Sequence, residues 1–156
     1  MANVIEQNLE NLGITLPVPV PPVANYVPFV QTGKLISISG QIPVDSEGKF
    51  PYLGKVGAEV SAEDAVKAAR LCAINIISQA KMACGGDLGR VVRIVKLGAF
   101  VNCTDGFAGQ PTIVNGASDL MVAVFGEAGK HSRSAVGVNA LPLNVPVEID
   151  ALIEIS

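Results

Sequence analysis

The sequence predicts an α+β domain, a mostly antiparallel sheet with two helices on one face. Three observations carry this. Strand-like runs come in local pairs, 25–31 with 34–40 and 133–139 with 145–155, each joined by a short turn. A further strand-like run, 90–102, stands alone between two helical patterns, so strands and helices do not alternate as a parallel α/β sheet requires. Charged residues make up only 16% of the 156 residues and hydrophobic ones 49%. That charge content lies below the roughly 25% usual in soluble domains. A second copy of the chain is therefore expected to cover part of the surface, because obligate interfaces resemble a core cut in half.

The elements follow in order. Residues 3–12 place Val4, Ile5, Leu9 and Leu12 at helical spacing, and Gly13 closes the pattern. Pro17, Pro19, Pro21 and Pro22 make 15–23 an extended spacer that cannot join a central ladder. The chain thus divides into 1–24, a short helix with a proline-rich connector, and 25–156, a single domain. The first hairpin turns at Thr32-Gly33, and Pro28 makes its first strand irregular or places it at an edge. Residues 43–57 are turn-rich. Ser61 opens the clearest helix, with Asp64 three residues later as in a capping box. Val66, Ala69, Ala73, Ile76, Ile77 and Ala80 mark its apolar face, and Gly85-Gly86 stops it. The run 90–102 alternates between Arg90, Val92, Ile94, Lys96 and Gly98 on one side and Val91, Arg93, Val95, Leu97 and Ala99 on the other. Neither side is cleanly polar, as suits a strand covered on both faces. A loop over 104–111 leads to a second helix, 111–126, with Pro111 in its first turn and Gly126 at its end.

Composition narrows the function classes. The net charge is −3 and no run of Lys or Arg occurs, so a nucleic-acid partner is not expected. Cys72, Cys84 and Cys103 are odd in number and lack C-x-x-C spacing, which indicates neither a disulfide framework nor a zinc site. The N-terminal MANVIEQNLENLG has no apolar signal core, and no run approaches the roughly 20 apolar residues of a membrane helix. A cytoplasmic protein is expected.

The closing segment, HSRSAVGVNALPLNVPVEIDALIEI (131–155), holds two charges in an apolar context, Arg133 and Glu148. With Leu141–Asn144 as the loop of a hairpin, Gly137 faces Glu148. Arg133, Ala135, Gly137 and Glu148 then share the face away from the helices. Arg133 and Glu148 would stand roughly 13 Å apart along the strand. That is too far for an ion pair within one chain. A composite site between chains would use them, and a pair of solvated charges would account for them equally.

Four stretches carry a resemblance: SISGQIPVDSEGK (37–49), KLGAFVN (96–102), HSRSAVGVNALP (131–142) and VPVEIDALIEI (145–155). They resemble the Rid family, also called YjgF and labelled endoribonuclease L-PSP, from about Tyr26 to Ile155. The N-terminal part and the enlarged loop at 103–113 resemble its chorismate-mutase-like subgroup. The resemblance implies a chorismate-mutase-like fold in a homotrimer, with three sheets forming a central barrel and sites in the clefts between subunits. It also implies hydrolysis of 2-imino and 2-enamino acids to a 2-keto acid and ammonia, with no cofactor and no metal. On the matching motifs, Arg133 grips the substrate carboxylate and Glu148 holds the water or passes a proton. Tyr26 and Asn115 orient water and nitrogen, and Ser39, Gly40 and Ala135 shape the binding site. Two departures stand out. Ala135 replaces a frequent cysteine, and His131-Ser132 replaces a frequent Pro-Ala before Arg-Ser. His131, the only histidine, would share a face with Arg133 on an alternating strand. A non-enzymatic binder of small carboxylates and an endoribonuclease are the alternatives.

Overall fold

A computed structural model describes residues 3–19 and 24–156; residues 20–23 of the proline-rich connector lie outside the described residues. The elements are α1 (Val4–Asn11), β1 (Phe29–Thr32), β2 (Leu35–Gln41), α2 (Ala62–Ala83), β3 (Val91–Asn102), α3 (Gln110–Phe125), β4 (Ser132–Val138) and β5 (Val147–Ile155). The sheet order is β1-β2-β5-β3-β4. All pairs are antiparallel except β3–β4, which is parallel. The α+β class holds, with a mixed sheet. The core lies between the sheet and the α2–α3 layer, where Ile36, Ile76, Leu97, Ile113, Met121 and Ile149 are fully buried. Among the described residues, no helix is long and apolar enough to cross a membrane.

Local signals set the helix ends. The Ser61 side chain accepts from the Asp64 backbone N–H, and Gly85 and Gly86 take the positive φ that ends α2. Pro111 sits in the first turn of α3. The N-terminal helix docks on α3: Leu9 is buried, and Asn8 Nδ2 donates to the Val124 carbonyl at 2.9 Å.

The strands depart from the sequence reading in three ways. Thr32 pairs with Leu35, so the first turn is Gly33-Lys34 rather than Thr32-Gly33. Gly33 takes φ +57° there, a conformation glycine adopts without strain. Strand β3 does not alternate simply, because its register shifts at Val91/Arg93 and Ile94/Lys96. Ile94 therefore turns to the helices with Leu97, Ala99 and Val101, all buried.

The third departure is the largest. Strands β4 and β5 are not a hairpin, because β3 lies between them. The chain leaves β3, crosses through α3 and returns as the parallel edge strand β4. Leu97, Ala99 and Val101 pair with Arg133, Ala135 and Gly137. Those β3 residues face the helices, so Arg133, Ala135 and Gly137 do too. Glu148 pairs with Phe100 and faces away. The expected shared face of Arg133 and Glu148 is thus overturned.

The β4–β5 connection passes the end of β3, and Asn102 secures it. Its fully buried amide donates to Asn144 Oδ1 at 3.3 Å and to the Val145 carbonyl at 3.2 Å. Its own Oδ1 accepts from Lys55 Nζ at 2.9 Å. The 55–60 loop is bound to the same end, with Val56 N–H donating to the Asn102 carbonyl and Thr104 N–H to the Val56 carbonyl.

Candidate functional site

Two clusters hold the residues singled out in the sequence. The first is built on β2 and β5. Between Ile38 and Gln41 the β2–β5 register shifts, so Ser39 and Gly40 bulge opposite Asp150. Glu148 folds over Gly40, and a Cβ at that glycine would run into Oε1 of Glu148. Two residues on, Asp150 lies over Gly98 in the same way. Ser39 draws the preceding chain in: its Oγ donates to the Val27 carbonyl at 2.8 Å, and its N–H donates to the Pro28 carbonyl at 3.0 Å. This fixes the segment carrying Tyr26, a residue that is 57% exposed.

Beside this cluster runs a groove of about 630 Å³, lined among others by Ser37, Ser39, Gly40, Lys96, Phe100 and Asp150. Burial pushes the Glu148 carboxyl above the usual glutamate range, and the charge of Asp150 adds to the push. Asp150 is also raised by burial, against the Gly98 backbone hydrogen bond and the charge of Lys96. A carboxyl raised in this way holds its proton to higher pH than a free one does. Asp150 and Lys96 were not singled out in the sequence. The signal was available for Asp150, two positions after Glu148 on an alternating strand.

The second cluster lies at the opposite edge. Arg133 on β4 donates from Nη1 to Ser118 Oγ at 3.0 Å and from Nη2 to the Pro111 carbonyl at 3.2 Å. Asn115 is exposed on the α3 stripe between those two partners. Ala135 follows Arg133 on the same face of β4. Ser118 Oγ meets His131 Nε2 at 2.9 Å, and His131 Nδ1 meets the Gly129 carbonyl at 2.6 Å. Ser118 was missed in the sequence because nothing local marks a serine within a helical pattern. Among the described residues, no carboxylate forms an ion pair with Arg133.

One chain does not unite the clusters. From β2 to β4 the order crosses β5 and β3, roughly 14 Å at the usual strand spacing. Arg133 and Glu148 also lie on opposite faces of the sheet. Within one chain, Ser39, Gly40 and Glu148 stand together beside the segment that carries Tyr26, and Arg133, Asn115 and Ala135 lie on the other side of the sheet.

A family model described as "YjgF/chorismate mutase-like, putative endoribonuclease" matches residues 6–154. Protein TCP17 of Trypanosoma cruzi is 44% identical over 153 residues, spanning 97% of this chain and 94% of that protein. The crystal structure of Atu1372 from Agrobacterium tumefaciens, a protein with unknown function, superposes with a TM-score of 0.91 at 48% identity, over 98% of this chain and 94% of that one. The structure of TdcF from E. coli with bound serine superposes with a TM-score of 0.65 at 27% identity, over 91% and 96% of the two chains. The five-stranded mixed sheet, its helical layer and a family match over nearly the whole chain agree, and the chain belongs to the YjgF/chorismate mutase-like family.

Proposed function

We propose that the protein is a hydrolytic deaminase of reactive 2-imino and 2-enamino acids, acting in clefts between the copies of a homotrimer. The observation that carries this reading is Arg133. Its guanidinium is held by two bonds to α3 and, among the described residues, has no acidic partner and no partner for its other N–H donors. A fork so placed suits an incoming carboxylate. The serine bound in TdcF is a ligand with such a carboxylate.

The catalytic half comes from the other cluster of the neighbouring copy. A 2-enamino acid first tautomerises to the 2-imino acid. Glu148 takes a proton from water as the oxygen attacks the imine carbon and passes that proton to the nitrogen. The resulting carbinolamine collapses to a 2-keto acid and ammonia. An imine carbon is already electrophilic, so this route needs no covalent nucleophile. Tyr26 and Asn115 orient the water and the nitrogen, and Ser39 and Gly40 line the approach. The bulge at Ser39-Gly40 leaves Glu148 a glycine surface to lie on.

The test is to generate 2-aminoacrylate in situ and follow keto-acid release. Wild type accelerates release, and Arg133→Ala loses about a hundredfold or more, since two charge-assisted hydrogen bonds go. No acceleration across several imino acids would refute the reading. A carboxylate binder without catalysis would use the same Arg133. It is separated by Glu148→Gln, which leaves 2-oxobutyrate binding intact in both cases and lowers turnover only in an enzyme. The endoribonuclease label fits less well, because a net charge of −3 without a basic run gives a phosphate backbone little to bind.

A further inference from the structure

The Arg133 guanidinium belongs to a directed chain of hydrogen bonds that ends on buried backbone. The Gly129 carbonyl can only accept, so His131 Nδ1 carries the hydrogen of the 2.6 Å contact. In the neutral ring Nε2 is then the acceptor, and the Ser118 hydroxyl donates to it at 2.9 Å. A guanidinium can only donate, so Ser118 Oγ accepts from Arg133 Nη1 at 3.0 Å. Donor and acceptor roles therefore run one way, from Arg133 through Ser118 and His131 to Gly129. Each bond polarises the next.

The anchor is rigid. Gly129 is buried, and a Cβ there would run into the Met121 carbonyl of α3. The second contact of Arg133, the Pro111 carbonyl, belongs to the first turn of the same helix. The guanidinium is thus gripped from both sides along α3. Nε–H and one hydrogen on each of Nη1 and Nη2 have no partner among the described residues and are left for a ligand. A free arginine side chain gives up considerable rotamer entropy when a ligand orders it. One already held gives up less.

We propose that Ser118 and His131 are positioning residues that hold Arg133 ready for the carboxylate. This rests on the reading of Arg133 as the carboxylate grip. It also gives His131, which stands where the family pattern often has Pro-Ala, a place in the site without contact to the reacting atoms.

Two measurements on the full-length protein test it. The first needs no ligand. Side-chain Nε relaxation of Arg133 by NMR should show an ordered guanidinium in wild type, loosened in Ser118→Ala and His131→Ala and restored in Ser118→Thr. The second is 2-oxobutyrate affinity. Each alanine variant should weaken binding by about threefold to tenfold, the range of one lost hydrogen bond. The double variant should be no weaker than the worse single one, and neither change should matter in an Arg133→Ala background. In turnover the loss should fall on KM, with kcat kept. Additive effects, effects that persist without Arg133, a fall in kcat alone, or an Arg133 side chain equally ordered in all variants would overturn the proposal. If wild type binds no 2-oxo acid, the deaminase reading fails, and the relaxation experiment still decides the positioning role.

Discussion

At the scale of single residues, Gly40 and Glu148 form the contact most open to test. A methyl group at Gly40 would meet the far end of a flexible side chain, Oε1 of Glu148, so Glu148 can move aside at small cost to the fold. Gly40→Ala should then keep 2-oxobutyrate binding while imine turnover drops by about a hundredfold or more, as when a positioned acid or base is displaced. Calorimetry and keto-acid release on the same preparation check it; equal losses in both would contradict it. The raised carboxyl of Glu148 makes a second statement, about stability. A carboxyl raised on folding binds protons more tightly in the folded chain. Its favourable contribution is complete below the unfolded value near 4.5. It is lost as pH rises through the folded value. Glu148→Gln should therefore melt higher than wild type at neutral pH, with the difference closing below about pH 4.5. Melting curves across that range check the sign.

At the scale of elements, α2 and α3 approach closely enough that Gly116 has no room for a side chain. A Cβ there would run into the Val66 carbonyl, which is backbone and cannot swing away. Alanine favours a helix over glycine by about 1 kcal/mol, but overpacking a core contact costs about 1–3 kcal/mol. Gly116→Ala should thus be neutral to destabilising by up to about 2 kcal/mol in urea unfolding, although propensity alone predicts a gain. The helices were legible in the sequence because their signals are local: Ser61, Gly85, Pro111 and Gly126 each act within a turn. The strands were less so. The bulge that turns Ile94 to the helices leaves no mark in an alternation that is already mixed. Strands β4 and β5 look like a hairpin because each is apolar and the turn between them is short. Only their shared pairing with β3, set by the α3 crossover, separates them. The same error put Arg133 on the wrong face. The residue types of the candidate site could be read in the sequence, and the two clusters they form could not, because cluster membership depends on that pairing.

At the scale of the whole molecule, the separation of the clusters makes a prediction about copies. Ser39, Gly40 and Glu148 stand together in one chain, and Arg133 lies across the sheet on its other face. If a working cleft takes Arg133 from one copy and Glu148 from its neighbour, two inactive variants can repair each other. A copy carrying Glu148→Gln still offers Arg133, and a copy carrying Arg133→Ala still offers Glu148. In a closed ring with one cleft per interface, random mixing of equal amounts places these intact halves together in about a quarter of the clefts. Coexpressed or co-refolded Arg133→Ala and Glu148→Gln chains should therefore recover about a quarter of wild-type turnover, while each variant alone stays near background. A cleft built from one chain would show no recovery at any mixing ratio. A ring with clefts between copies would show recovery that follows the product of the two chain fractions, highest at equal amounts, and sedimentation of the mixture should give the same assembly as wild type.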